Sequence, residues 1–370
     1  MRKTFLYKAK INKATEANCI QWLELCRILY NMALSIRVFA YKQFRKTISV
    51  YEQYGQLPEL KAEHPEFKAV GSQVLQEVLE RLDKAYKSFF QRVKSSKGKA
   101  GFPRFKGFGR YDSFTLKQAG WKLNGRNLHI RNVGRFKLYL SRPIEGKIKT
   151  ITVRRKSAGW FVAFSCDNVP VKQFPETSKE IGIDVGIESF LVDSKGHAVE
   201  NPKYYRHGQK ILRRRSRSLA RKKKGSNRRH KARILVAKAH EKVANQRKDF
   251  LHKVANLYIG LYAVICVEDL KIRNMIRNRH LSKSISDSAW GMFFDMLVAK
   301  AVEAGRQVIK VDPKGTSQLC SNCGEKVPKS LSVRIHKCPH CSLVLDRDEN
   351  AAINILKGGQ PFRASTYTIR

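Results

Sequence analysis

Two cysteine pairs, CSNC at 320–323 and CPHC at 338–341, stand fourteen residues apart in the last fifth of the chain. Four thiols at this spacing close a tetrahedron round one zinc ion, so the chain between them is expected to fold back as a small ribbon. Such a closed site (Cys320, Cys323, Cys338, Cys341) leaves no position for water, and the metal is expected to hold shape and not to do chemistry. His336 and His340 stand nearby as spare ligands. Cys19, Cys26, Cys166 and Cys266 each sit alone in apolar surroundings and read as buried thiols, which suits a reducing, cytoplasmic compartment.

The ribbon is lodged between the second and third of three widely spaced acidic residues. Asp184 lies in IGIDVGIESF, Glu268 follows the apolar run of YAVICVEDL, and Asp348 is the second acidic residue of DRDENAAINIL. The first two end apolar runs that read as buried strands, and a charge at such an end lies on the usual ligand-binding edge of an open α/β sheet. Asp348 opens a helix, where the backbone amides favour its ionised form. A fold that joins these ends pools three carboxylates. Hard cations such as Mg²⁺ want that oxygen set, and two of them about 3.5–4 Å apart clamp both oxygens of a phosphodiester displacement. Asp346 competes for the third position, and Asn350 either orients a ligand or caps the helix. No GxxxxGK loop is present, so nucleotide hydrolysis has no visible engine.

Charge points to the partner. The 370 residues carry 74 Lys and Arg against 30 Asp and Glu, a net +44, and 42% of them are hydrophobic. The apolar share supports folded domains, and the excess of cations calls for a polyanion, since phosphate neutralisation drives sequence-independent nucleic-acid affinity. An anionic membrane is the bland alternative. No apolar run approaches the roughly 20 residues of a spanning helix, and MRKTFLYKAK has no apolar signal-peptide core behind it. Residues 203–248 hold nineteen Lys and Arg and one acidic residue, Glu241. This stretch is expected to be one long basic helical segment lying on phosphates, with Arg213, Arg214, Arg215, Lys222 and Lys223 among the contacts.

Apolar residues recur at helical spacing over 15–46 and 72–94, joined by a polar, Pro-containing connection around 54–68. From about 102 the pattern alternates, with Leu128/Ile130, Phe136/Leu138/Leu140, Ile151/Val153 and Trp160/Val162/Phe164/Cys166, which predicts short antiparallel strands and a small barrel. The approach GFPRFKGFGRYDSF interleaves Phe102, Phe105, Phe108 and Phe114 with Arg104, Lys106 and Arg110, a texture that suits bases and phosphates. After a joint at 171–180 the expected order is three strands, helix, strand, helix, strand, helix, the order of an RNase H-like fold.

The blocks GIDVGIESF, SISDSAWGMF, TSQLCSNCG, and CPHC followed by DRDENAAINI occur in the order seen in TnpB (OrfB) proteins of insertion sequences, and GFPRFKG fits too. The chain resembles that family from about residue 5 to about 358. The resemblance implies an RNA-guided DNA endonuclease related to type V CRISPR effectors, with two Mg²⁺ ions on Asp184, Glu268 and Asp348 and one structural zinc. It implies a guide RNA made from the transposon end, a double-stranded DNA target beside a short motif, and a monomer in the complex. It also implies a multidomain α+β and α/β chain: a β-barrel wedge (1–10 and 100–180), a helical recognition domain (11–99), a RuvC-like nuclease domain (181–316 and 346–358), an inserted zinc ribbon (317–345) and a tail (359–370). Ser72, Gln73, Gln76 and Thr115 are candidates for reading the motif. Two other readings compete: a RuvC-like nuclease or transposase acting without RNA, and a non-catalytic zinc-ribbon regulator of DNA.

Overall fold

Strict alternation in β1 (Lys3–Lys10) buries Phe5, Tyr7 and Ala9 on one face, so this strand needs a core packed over that face. In the computed structural model, which describes residues 1–95, 100–171, 174–330 and 333–360, the chain forms two units, Met1–Pro170 and Val171–Arg370. Most of the sequence-expected tail, 361–370, lies outside the described residues.

In the first unit β1 leads at once into helices. Asn12 caps α1 (Lys13–Phe44) by accepting from the Thr15 amide at 2.7 Å. Short helices α2 (Val50–Gly55) and α3 (Leu57–Glu63) and a 3₁₀ turn (Pro65–Ala69) precede α4 (Ser72–Lys94). The connection around 54–68 is therefore not simply polar. Leu57 and Phe67 are buried and fold it onto the helical pair. Six strands follow: β2 (Ser113–Leu116), β3 (Trp121–Asn124), β4 (Asn127–Ile130), β5 (Gly134–Tyr139), β6 (Lys147–Lys156) and β7 (Gly159–Asp167). They join β1 in a seven-stranded antiparallel sheet of order β2-β6-β7-β1-β5-β4-β3, with the first strand of the chain in its middle.

The second unit holds β8 (Glu180–Val185), β9 (Ser189–Asp193) and β10 (Ala198–Glu200), then α5 (Tyr204–Ala220) and α6 (Asn227–Leu261). The basic stretch is thus two helices and not one. It reverses at Lys222–Ser226, where Gly225 has φ +84°, and Arg229 ties the turn by donating to the Leu219 and Lys222 carbonyls at 3.0 and 2.9 Å. Then come β11 (Val264–Glu268), the short α7 (Ile272–Met275) and α8 (Ser282–Ser288), α9 (Trp290–Glu303), β12 (Gln307–Val311), the hairpin β13 (Ile335–Lys337) and β14 (Val344–Asp346), and α10 (Arg347–Gly358). The main sheet has the order β10-β9-β8-β11-β12, antiparallel from β10 to β8 and parallel from β8 to β12.

Period-two alternation divides this sheet's residues between two covers. Ile181, Ile183, Ile265 and Val267 share a core with α6 and α9, whereas Cys266 packs with Ile309, Val311 and Ile355 of α10 on the other side. Gly182 also lies on the α10 side. A Cβ there would overlap the Ala352 carbonyl oxygen and stand 2.8 Å from the Leu356 amide nitrogen, so helix and strand meet backbone to backbone. Overpacking costs about 1–3 kcal/mol even where side chains can yield, and here the obstacle is main chain. Gly182→Ala should lower the thermal unfolding midpoint by about 2–4 °C per kcal/mol lost. Gly55→Ala, which meets nothing within 4 Å, should leave it unchanged in the same scan.

Candidate active site

Asp184 and Glu268 share the face that α10 covers. Val267 pairs with Ile183 in the parallel register, so Glu268 follows beside Asp184 on the neighbouring strand. The third carboxylate comes from the start of α10. Asp346 caps that helix, its Oδ1 accepting from the amides of Asp348 and Glu349 at 2.8 and 3.3 Å. Of the two competing aspartates, Asp346 is occupied as the cap and Asp348 carries the charge felt by the strands. Burial, then the charges of Glu268 and Asp348, hold the Asp184 carboxyl well above the ordinary aspartate range. Burial also pushes Glu268 up, and the Thr316 hydroxyl, donating to its Oε1 at 2.5 Å, works the other way.

Two arginines surround Asp348. Arg347 donates to Oδ1 at 2.9 Å and Arg334 to Oδ2 at 3.3 Å, while Arg334 also pairs with Glu188. Sequence reasoning singled out neither arginine, nor Thr316. Each is a lone polar residue in a loop or beside a motif residue, where periodicity carries no signal. Asp184, disfavoured as an anion by burial and by the charges of Glu268 and Asp348, makes with them a set of oxygen donors of the type hard divalent cations take, although among the described residues only the four cysteines gather their ligand atoms tightly round one point.

The cysteines form a tighter set. Among the described residues, Cys320, Cys323, Cys338 and Cys341 bring all four sulfurs within 4.8 Å of one another, and neither His336 nor His340 joins them. The Cys320–Cys341 and Cys323–Cys338 sulfurs are each 3.6 Å apart. A tetrahedron of Zn–S bonds of about 2.3 Å requires roughly 3.8 Å, and a disulfide about 2.05 Å, so the geometry fits zinc. Each knuckle closes on a left-handed residue directly after its second cysteine, Gly324 (φ 81°) and Ser342 (φ 57°).

The approach to the first knuckle is tied to α10. Asn350, fully buried, accepts from the Ser321 amide at 2.9 Å and donates to the Leu319 carbonyl at 2.8 Å. Asn354 donates to the carbonyls of Thr316 and Leu319, both at 2.8 Å, and Lys357 reaches that of Ser321. Thr316, which holds Glu268, therefore belongs to a loop anchored on the helix that carries Asp348.

The basic hairpin is fixed at its base by the SISDSAW block. Asp287, buried, accepts from the Tyr205 amide at 2.9 and 3.0 Å and from the Arg247 guanidinium at 2.9 Å. It supplies the cap that Lys203, left-handed at the head of α5, does not. Arg213, Arg214 and Lys222 line an open hollow of about 780 Å³ together with Arg206, Lys210 and Arg217. Arg215 instead donates to the Leu235 carbonyl at 2.8 Å, and Lys223 lies exposed at the turn. In the first unit Arg104 is exposed and Gln76 half-buried. Ser72 accepts from Lys61 at 2.7 Å, and Gln73 accepts from the Ala119 amide at 3.4 Å. Thr115 is buried, bonded to Arg81 at 2.8 Å and Thr152 at 2.9 Å.

With this geometry in place, the likeness to known proteins is specific. A family model described as "Probable transposase" (OrfB_IS605) matches residues 163–279, and the Cas12f1-like TNB domain matches residues 290–355. A "Putative RNA-guided DNA endonuclease" of Streptomyces pristinaespiralis is 33% identical, over 97% of this chain and 90% of its own length. The "Putative RNA-guided DNA endonuclease InsQ" of Escherichia coli K12 is 29% identical, over 97% and 93%. The fold is similar to that of Cas12f1 in a cryo-EM complex with sgRNA and target DNA, at TM-score 0.58 and 16% identity over 92% of this chain and 82% of that one. These relatives are named as DNA endonucleases, and the chain belongs to the TnpB (OrfB) family. No helix among the described residues is long and apolar enough to cross a membrane.

Two measurements test the sites as built. Because Asp184 titrates above its unfolded value of about 3.9, the metal-free fold loses stability as pH rises from there through the folded value. Asp184→Asn should therefore melt above the parent in EDTA, with a gap that widens from about pH 4 upward, and added Mg²⁺ should raise the parent alone. For the ribbon, elemental analysis should find one zinc per chain, and Cys338→Ser should lose it together with thermal stability.

Proposed function

We propose that the chain is an RNA-guided, Mg²⁺-dependent DNA endonuclease whose second unit is a RuvC-like, RNase H-type nuclease domain with an inserted zinc ribbon. The observation that carries this reading is the placement of Asp184 and Glu268 on one face of neighbouring strands, with Asp348 on the first turn of the helix that covers that face, in a chain of the TnpB family. Asp184, Glu268 and Asp348 would hold two Mg²⁺ ions, which when bound supply charge for the attacking and leaving oxygens of the phosphodiester. Thr316 keeps the Glu268 carboxylate in one orientation, and Asp346 keeps the first turn of α10 intact so that Asp348 faces the strands. In the first unit, the antiparallel sheet serves as the barrel-like wedge and α1 to α4 as the recognition domain. The partners are a guide RNA, made from the transposon end, and a double-stranded DNA target beside a short motif, engaged by one copy of the chain. The cations lining the hollow along α5 suit nucleic-acid backbones, and base pairing supplies the sequence.

Asp184→Ala and Glu268→Ala should bind guide and target as the parent does and cut at least about 10²-fold more slowly in Mg²⁺. Near-parental cleavage by either variant would remove the assignment. RNA extracted from the purified protein should contain one dominant species, and changing its guide end should redirect cutting. If RNase-treated protein cuts the same sites at the same rate, the chain is a nuclease acting without RNA, and a chain with no cutting at all under these conditions is better read as a zinc-ribbon DNA-binding regulator.

A further inference from the structure

The GFPRFKGFG segment separates its aromatic rings into two kinds. Phe114, just beyond it, is buried against Trp22 at 5.2 Å, and Phe102, itself 47% exposed, has ring partners in Tyr86 and Phe89, edge-on at 5.5 and 5.2 Å. Phe105 and Phe108 remain 59% and 85% exposed. Loose loops often leave a ring in solvent by default, but this backbone is held at three points. Arg92 donates to the Gly101 carbonyl at 3.0 Å. Asn31 of α1 brackets Lys106, accepting from its amide at 2.8 Å and donating to its carbonyl at 2.9 Å, and Arg27 donates to the same carbonyl at 3.1 Å. The tight turn Gly107–Arg110 closes with a 3.0 Å amide-to-carbonyl bond, and Gly109 at φ +65° permits it. Lys106 itself is spent over the Tyr30 ring at 5.3 Å.

We infer that Phe105 and Phe108 form a preset platform on which unpaired nucleobases of a bound strand stack, with the exposed Arg104 and Arg110 beside them for its phosphates. Charge selects this occupant. No acidic residue lies between Asp83 and Asp112, so the rings stand in an entirely cationic stretch of chain. A second copy of a chain with net charge +44 is repelled from such a surface, whereas a strand that offers π-faces on a polyanionic backbone matches both its rings and its cations. Because the backbone is already fixed, little ordering entropy opposes binding. The inference rests on the nucleic-acid-handling role proposed above, but not on RNA guidance or on cutting.

The test uses the full-length chain without divalent metal, fluorescein-labelled dT and rU single strands of equal length, a blunt DNA hairpin closed by a non-nucleotide glycol linker so that no base is unpaired, and phosphatidylcholine–phosphatidylserine vesicles. Phe105→Ala and Phe108→Ala should each weaken single-strand binding by about 5- to 100-fold while the hairpin is unaffected. Phe108→Trp should restore affinity and Phe108→Leu should not, since stacking needs a planar ring. The slope of log affinity against log salt should stay unchanged in the Phe variants and fall by about one in Arg104→Ala or Arg110→Ala. The dT and rU arms tell which kind of strand is preferred. Unaltered thermal midpoints are expected, because both rings lie in solvent, and they separate lost binding from lost folding. Full affinity in Phe108→Leu, equal loss on the hairpin, or an effect confined to the vesicles would each overturn the platform. Cleavage is not read in this assay, so a chain that cuts without RNA can still possess the platform, and an RNA-guided one can fail the test.

Discussion

Backbone contact between α10 and the central strand β8 is the constraint on which the second unit turns. Gly182 on the strand, with Gly358 and Gly359 at the far end of the helix, leaves out side chains that would hold helix and sheet apart, and the helix settles so close that its first turn delivers Asp348 to the end of the same strand. Two residues later on that strand, on the same face, stands Asp184. Side-chain alternation and these missing Cβ atoms set the spacing of the carboxylates, and the helix cap at Asp346 fixes the rotation. The placement of these carboxylates thus rests on main-chain geometry, which is more rigid than a loop.

The zinc ribbon shares this support. Asn350, Asn354 and Lys357 lie on successive turns of α10 and hold the chain that leads into the first knuckle, and Thr316 at the head of that chain holds Glu268. One helix therefore carries a carboxylate on its first turn and, through its polar face, fixes the loop that orients another. Full burial of Asn350 makes this a high-stakes arrangement, because each unpaired polar atom would cost roughly 1–3 kcal/mol. The loop that leads into the four-cysteine cluster thus also holds a carboxylate oxygen in place.

Much of this was legible beforehand because it rests on period and spacing. The alternation of Trp160 to Cys166, the helical stripes of α1 and α4, and the strand at Gln307–Val311 are all visible as patterns, as is the four-sulfur cluster. What was not legible depends on partners distant in sequence. The basic stretch reads as one helix until Arg229 is seen tying its turn, and the connection around 54–68 reads as polar until Phe67 is seen filling the core. Thr115 looks available in the sequence and is enclosed by Arg81 and Thr152. Asp287 sits inside a recognisable block, yet its role as a cap supplied from another helix has no local signature. The same holds for the arginines around Asp348.

The central position of β1 has a consequence for how the chain is made. Its two neighbours in the sheet, β5 and β7, are encoded more than a hundred residues downstream, with α1 to α4 in between. A growing chain therefore exposes Phe5, Tyr7 and Ala9 on an unpaired strand while the helices, whose contacts are closer in sequence, assemble first. The amino terminus must be kept from pairing elsewhere until Gly159–Asp167 leaves the ribosome. Lys8 and Lys10, on the face opposite Phe5, Tyr7 and Ala9, are charges of the kind that discourage a wrong partner along an open strand before the right one exists.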